Sequence, residues 1–175
     1  MRLRNEQGEL CGEDELGEIE LAGGSLTSEY FEGKHPMPRA DGFYRTGDIG
    51  FVNDGELFIT GREGDRIKIN GQSLFATDFE QVIERLPFVR EGRTTVFQHD
   101  DDLIVLAEID GGARQDLNRS RAVLISHLAE NIGATVEPSN VHFLRSGQLE
   151  RTSSGKLKRR AIALKYRQGI IKTLA

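Results

Sequence analysis

The sequence changes grammar at Gly61, and that change limits the fold more than any other feature. Before it, Gly8, Gly12, Gly17, Gly23-Gly24, Gly33, Pro36, Pro38, Gly42, Gly47 and Gly50 interrupt the chain too often for a helix to propagate. Only short strands fit between them, such as 17–21 and 49–53. Asn53-Asp54-Gly55 is a hairpin signal between candidate strands at 48–52 and 56–60. After Gly61 the periodic segments lengthen. Arg66-Ile67-Lys68-Ile69 alternates as a half-buried strand does, and Asn70-Gly71 marks a turn.

Thr77-Asp78-Phe79-Glu80 has capping-box spacing, with Thr77 and Glu80 expected to satisfy each other's free backbone donors. Phe79, Val82, Ile83 and Leu86 then share a helical face, and Pro87 closes the helix. Strands are predicted at 94–98 and 103–109. A second helix is predicted over 115–131, with Leu117, Leu124, Ile125 and Leu128 inward and Gly133 past its end. A strand at 140–144, a polar loop at 146–155 and a basic helix follow. The expected fold class is α+β: a short β-rich segment over 1–64, then a compact domain over 65–175 with a small sheet flanked by helices.

Composition excludes several classes. Hydrophobic residues make up 37% and charged residues 29%, and the longest apolar run, 103–107, is strand-sized, so no membrane span is expected. The basic residues at the N-terminus are not followed by an apolar segment, so they do not form a secretory signal. The single cysteine, Cys11, rules out an internal disulfide and suits a reducing, cytoplasmic setting. The histidines at 35, 99, 127 and 142 lack ligand spacing, which argues against a metal centre. The net charge of −5 hides an asymmetry: residues 151–175 hold eight bases and no acid, whereas 1–150 carry −13. A basic tail on an acidic body implies phosphate, nucleic acid or the protein's own acidic surface as its partner.

Three blocks stand out as chemistry. In Tyr44-Arg45-Thr46-Gly47-Asp48, the aspartate beside a glycine suits a pair of ribose hydroxyls, or else caps its own backbone in a turn. In 61–71, Gly61 and Gly64 around Asp65 make a hinge, or an ordinary glycine-rich loop between strands. In 151–157, a hydroxyl-rich loop presents Lys156 to an anionic group, or simply opens a basic helix. A phosphate-binding P-loop fails there, because Glu150 stands where it needs glycine and Leu157 where it needs Ser or Thr. A nucleic-acid patch along Lys158, Arg159, Arg160, Lys165 and Arg167 has only Tyr166 on which to stack a base.

The order of the blocks resembles the adenylate-forming superfamily of acyl-CoA synthetases, peptide-synthetase adenylation domains and luciferases. The matching regions are 16–19 with Tyr30-Phe31, 44–48, 61–71 and 152–156, which together cover essentially the whole chain. The wording of 54–62, the helix entry Asp78-Phe79-Glu80 and the stretch 141–156 are most similar to fatty acyl-AMP ligases and long-chain acyl-CoA synthetases. Glu150 departs from the proline those proteins carry there, which puts the loop's rigidity in question and leaves its lysine untouched.

The resemblance implies an enzyme in which a fatty acid attacks the α-phosphate of ATP and the acyl group passes from the adenylate to a pantetheine thiol. Asp48 would hold the ribose hydroxyls, Arg62 would lie close to the nucleotide, and Lys156 would bridge carboxylate and phosphate oxygens. Asp65 would be the hinge on which the C-terminal lid swings, presenting Lys68 for the second half-reaction. Gly71 would leave room for the pantetheine of coenzyme A or of an acyl carrier protein. Residues 1–64 would be the β-rich end of an N-terminal adenylating core and 65–175 the mobile lid. The phosphate loop, the adenine-binding stretch and the Mg²⁺-binding acid of that superfamily have no counterpart here. The chain is therefore expected to be a piece of a longer or split protein, inactive without that core and with no nucleic-acid partner. The alternatives are a non-catalytic docking or regulatory module of the same fold, and a nucleic-acid binder acting through the basic tail.

Overall fold

The computed structural model describes residues 1–24, 26, 41–69, 71–100 and 102–174. The chain divides into two compact units, 1–66 and 67–175, two residues beyond the expected boundary at 64/65. The Tyr30-Phe31 match lies outside the described residues.

In the first unit, glycine-punctuated sequence makes a four-stranded antiparallel sheet in the order β1 (Arg2–Arg4), β2 (Gly17–Leu21), β3 (Tyr44–Asn53) and β4 (Glu56–Arg62). Three residues are too few for β1 to show a period, although Leu3 buries its side chain there. The block 44–48 was expected as a turn or at the start of a strand. It runs instead along the first half of the ten-residue β3, with the irregularity between Ile49 and Gly50. Gly50 sits where a Cβ would lie 2.4 Å from the Phe58 carbonyl oxygen, so only glycine lets β3 and β4 approach this closely. A 3-10 turn, Glu63–Asp65, follows β4.

The second unit opens with β5 (Arg66–Ile69), whose first residue is the last of the first unit; β5 pairs with β6 (Gln72–Phe75), and the turn residue Asn70 lies outside the described residues. Then come α1 (Ala76–Ile83), β7 (Val89–His99), β8 (Asp102–Ile109), α2 (Leu117–Ile132), β9 (Val141–Leu144) and α3 (Arg159–Arg167). β8 is the central strand of a three-stranded sheet, antiparallel to β7 and parallel to β9. The parallel pairing needs a crossover, which α2 supplies.

Alternate residues of β8 feed two cores. Leu103, Val105, Ala107 and Ile109 pack with Phe79 and Ile83 of α1 and Leu124 and Leu128 of α2. Ile104 and Leu106 pack with Leu144, Leu149 and Ile162 of α3. Both faces of the sheet are covered, which is why β8 reads as a nearly unbroken apolar run.

The cap of α1 corrects one expectation. The helix begins at Ala76, after the buried Phe75 at the end of β6, and the Asp78 carboxylate accepts the Phe75 N–H at 2.8 Å. Thr77 and Glu80 do not form the expected box, because Glu80 turns inward and is buried. Gly133 closes α2 in the left-handed region, φ 64°.

Candidate functional site

In the first unit, the register of β3 and β4 sets Asp48 opposite Arg62, and the Arg62 Nε donates to the Asp48 carboxylate at 2.9 Å. Two of the residues singled out from sequence are therefore brought together. Thr46 fixes the local backbone: its hydroxyl accepts the Asp48 N–H at 3.0 Å and donates to the Ile19 carbonyl at 2.9 Å. Asp48 does not cap its own backbone; Thr46 does that work, and the Asp48 carboxylate points at a guanidinium that is largely exposed. Asp65 ends the 3-10 turn after β4.

In the second unit, Lys68 is exposed on β5, and its backbone is gripped by the side-chain amide of Gln98 at the end of β7. Gln98 Oε1 accepts the Lys68 N–H at 3.2 Å, and Gln98 Nε2 donates to the Lys68 carbonyl at 3.1 Å. Gly71 takes φ 75°, and a Cβ there would meet nothing within 4 Å, so its demand for glycine is conformational.

Lys156 lies on a tight hairpin between β9 and α3. The Thr152 N–H donates to the Lys156 carbonyl at 2.8 Å, and the Lys156 N–H donates to the Thr152 hydroxyl at 3.1 Å. Thr152 and Ser154 hydroxyls lie 2.9 Å apart, and Gly155 makes the turn with φ 83°. Arg151 and Leu157 form the bridge at its base, and the Lys158 N–H donates to the Glu150 carbonyl at 2.9 Å. The Glu150 side chain pairs with Lys165 of α3, which holds its carboxyl below the usual carboxylate range. Glu150 thus ties the hairpin to the following helix.

The hairpin forms one wall of an open polar groove of about 440 Å³. Lys156 and Arg151 face it from the hairpin, Glu80 and Glu84 from α1, and Arg159 from the first turn of α3. Lys68 and Gly71 do not line it. Arg159 donates to both Glu80 carboxylate oxygens, its Nε at 2.9 Å, and the Val96 N–H donates to the same carboxylate at 3.3 Å. Burial pushes the Glu80 carboxyl above its ordinary range even with Arg159 pulling it down. Among the described residues Lys156 has no carboxylate within ion-pair reach. The basic tail is thus partly answered by the protein's own acids: Arg159 and Lys165 are paired, whereas Lys156 is presented.

The family described as "Disco-interacting protein 2-like, AMP domain" matches residues 64–175. A Caulobacter vibrioides protein provisionally named an acyl-CoA synthetase is 33% identical over 97% of this chain and 30% of its own length. JamA of Moorena producens, a medium-chain-fatty-acid–[acyl-carrier-protein] ligase, is 29% identical over 92% of this chain and 30% of its own. The chain belongs to the adenylate-forming ligase family, close to the fatty acyl-AMP ligases. Solved structures carry the same fold. A fatty acyl-adenylate ligase, from a study of the E. coli and L. pneumophila enzymes, superposes with TM-score 0.82 and 27% identity, over 96% of this chain and 30% of that one. McyG A-PCP with phenylalanyl-adenylate gives TM-score 0.81 and 28% identity, over 97% and 28%. The chain spans about 30% of the length of the curated ligases it matches.

Sequence reasoning missed the residues beneath Lys156. Glu80 was expected in a helix cap and Arg159 only as one base of a candidate nucleic-acid patch on the last helix. Glu108, on β8, drew no attention, although a lone acid in the apolar run 103–109 was a visible signal. Among the described residues no cluster of His, Cys, Asp or Glu has a metal-holding arrangement, and no helix is long and apolar enough to cross a membrane.

Proposed function

We propose that this chain is the hinge-and-lid portion of an enzyme that activates a fatty acid with ATP and hands the acyl group to a pantetheine thiol. In the first half-reaction a carboxylate oxygen attacks the α-phosphorus, the bond to the β-phosphate oxygen breaks, and pyrophosphate leaves. In the second, a thiolate attacks the acyl carbonyl and AMP leaves. Asp48 binds the ribose hydroxyls, with Arg62 beside it near the nucleotide. Lys156 bridges the carboxylate and α-phosphate oxygens, where a fixed cation offsets the charge that develops in the transition state. Asp65 is the hinge. After rotation Lys68 takes its place at the site, and Gly71 gives the pantetheine of coenzyme A or a carrier protein room to approach. The Mg²⁺ ligands, the phosphate loop and the acyl pocket belong to the adenylating core, the chain's principal partner. Cys11 is a free thiol, which suits a cytoplasmic setting.

The observation that supports this reading most is the Lys156 hairpin: a tight, hydroxyl-lined turn presenting a cation that no carboxylate among the described residues neutralises. Pyrophosphate release with ATP and a panel of fatty acids tests the division of labour. The 175-residue chain alone is expected to show none, and the chain joined to an upstream adenylating core is expected to turn over. Robust turnover by the chain alone would sink the proposal.

A further inference from the structure

Beneath the Lys156 hairpin lie two carboxylates that no step above uses. Glu108 is fully buried on β8, on the same face as Ile104 and Leu106, which is the face that carries the hairpin and α3. Its Oε1 accepts the Leu149 N–H at 2.8 Å. Arg93 of β7 completes the grip: its Nη1 donates to the Leu149 carbonyl at 3.3 Å, and its Nε lies 3.9 Å from Glu108 Oε2. Both backbone polar groups of Leu149 are thus held by charged side chains of the sheet. One turn further on, Arg151 donates to the Gly92 carbonyl on β7. On the exit side, Glu80 of α1 takes the Arg159 guanidinium with both oxygens. The chain between Leu149 and Arg159 is the hairpin that bears Lys156.

Stability does not explain these acids. An apolar side chain at 108 would suit a strand buried on both faces, whereas a buried carboxylate costs several kcal/mol before its partners offset it. The offset at Glu108 is incomplete, because its Oε2 and the Arg151 Nε find no hydrogen-bond partner among the described residues. What a carboxylate adds is an acceptor at a defined height above the sheet.

We propose that Glu108 and Glu80 are positioning residues that set the entry and exit of the hairpin and thereby the place of the Lys156 ammonium. This rests on the reading of Lys156 as the adenylation lysine. A misplacement of about 1 Å near reacting atoms costs up to about 100-fold in rate. Such a loss falls on kcat rather than on ATP binding, because the interaction matures in the transition state.

The test uses the chain joined to its adenylating core, with pyrophosphate release as one readout. Amide exchange at Leu149 in the 175-residue chain is the second. Glu108→Asp withdraws the acceptor by one methylene, and Glu108→Gln keeps an oxygen at the original reach. The Asp variant is expected to lose about 10- to 100-fold in kcat with KM for ATP nearly unchanged, and to exchange Leu149 faster. The Gln variant is expected to recover both. A folded Asp variant with unaltered kcat and unaltered Leu149 exchange overturns the proposal. If circular dichroism shows Glu108→Asp unfolded, Glu80→Gln decides: a kcat loss at constant KM supports the proposal, and an unchanged kcat overturns it. Lys156→Ala, run in parallel, separates the two claims. If it leaves the rate intact, the reading of Lys156 fails and Leu149 exchange alone judges the positioning. If it abolishes the rate while Glu108→Asp is normal, only the positioning fails.

Discussion

Strands β4 and β8 are both rich in large apolar residues, yet one lies open and the other is sealed. Leu57, Phe58 and Ile59 of β4 are 37%, 43% and 65% exposed, whereas every residue of β8 from Leu103 to Ile109 is buried. The difference is position in the sheet. β8 is the middle strand, with α1 and α2 packed on one face and α3 on the other, whereas β4 ends its sheet with no α-helix among the described residues of its unit. Burial here belongs to the layers around a strand, and the second unit carries its own layers. The contrast extends to charge. The Asp48–Arg62 pair of the first unit is partly open to solvent, whereas Glu80 and Glu108 of the second are buried beneath the Lys156 hairpin.

The strongest way to break this contrast is to separate the units. Residues 67–175 alone are expected to unfold cooperatively by denaturant titration, and residues 1–66 alone to give no cooperative transition. The reverse result would show that the second unit's core is not self-sufficient. Next in size is a matched pair of truncations. Phe143 is fully buried, so Phe143→Ala is expected to cost about 3–5 kcal/mol in the same titration. Phe58→Ala, which loses an exposed ring stacked on Phe51, is expected to cost less than about 1 kcal/mol.

A smaller effect concerns pH. His142 of β9 is half-buried and hydrogen-bonded through Nε2 to the Tyr166 hydroxyl at 3.0 Å, and burial, helped by Arg121, lowers its pKa. The unfolded chain then binds more protons than the folded one as pH falls through about 6.5, so stability falls with it. Thermal melts are expected to show that loss between neutral and mildly acidic pH, and His142→Gln to flatten it. The smallest effect belongs to the exposed pair: Arg62→Ala is expected to change stability by less than about 1 kcal/mol, measured by the same melts.

Much of this second unit was legible because its elements are long and periodic. The 3.6-residue spacing of Phe79, Val82, Ile83 and Leu86, and the apolar run at 103–107, point to an arrangement with both faces of a small sheet covered. β6 was not legible: Gln72–Phe75 has no alternation to announce it, and it pairs with β5. The site divides in the same way. Lys156, Asp48 and Arg62 sit in local patterns that a linear reading finds. Glu80, Arg93, Glu108 and Arg159 act through partners remote in sequence, and local rules point elsewhere. Capping-box spacing claimed Glu80, and a run of bases hid the one arginine of α3 that reaches α1.

We propose Lys156 as the cation that bridges the carboxylate and α-phosphate oxygens in adenylation. The most direct test of that role is the rate of fatty-acid-dependent pyrophosphate release by the chain joined to its adenylating core, with and without Lys156→Ala. The expected result is a loss of about 100- to 1,000-fold with the fold intact by circular dichroism. An undiminished rate in the folded variant would contradict the account.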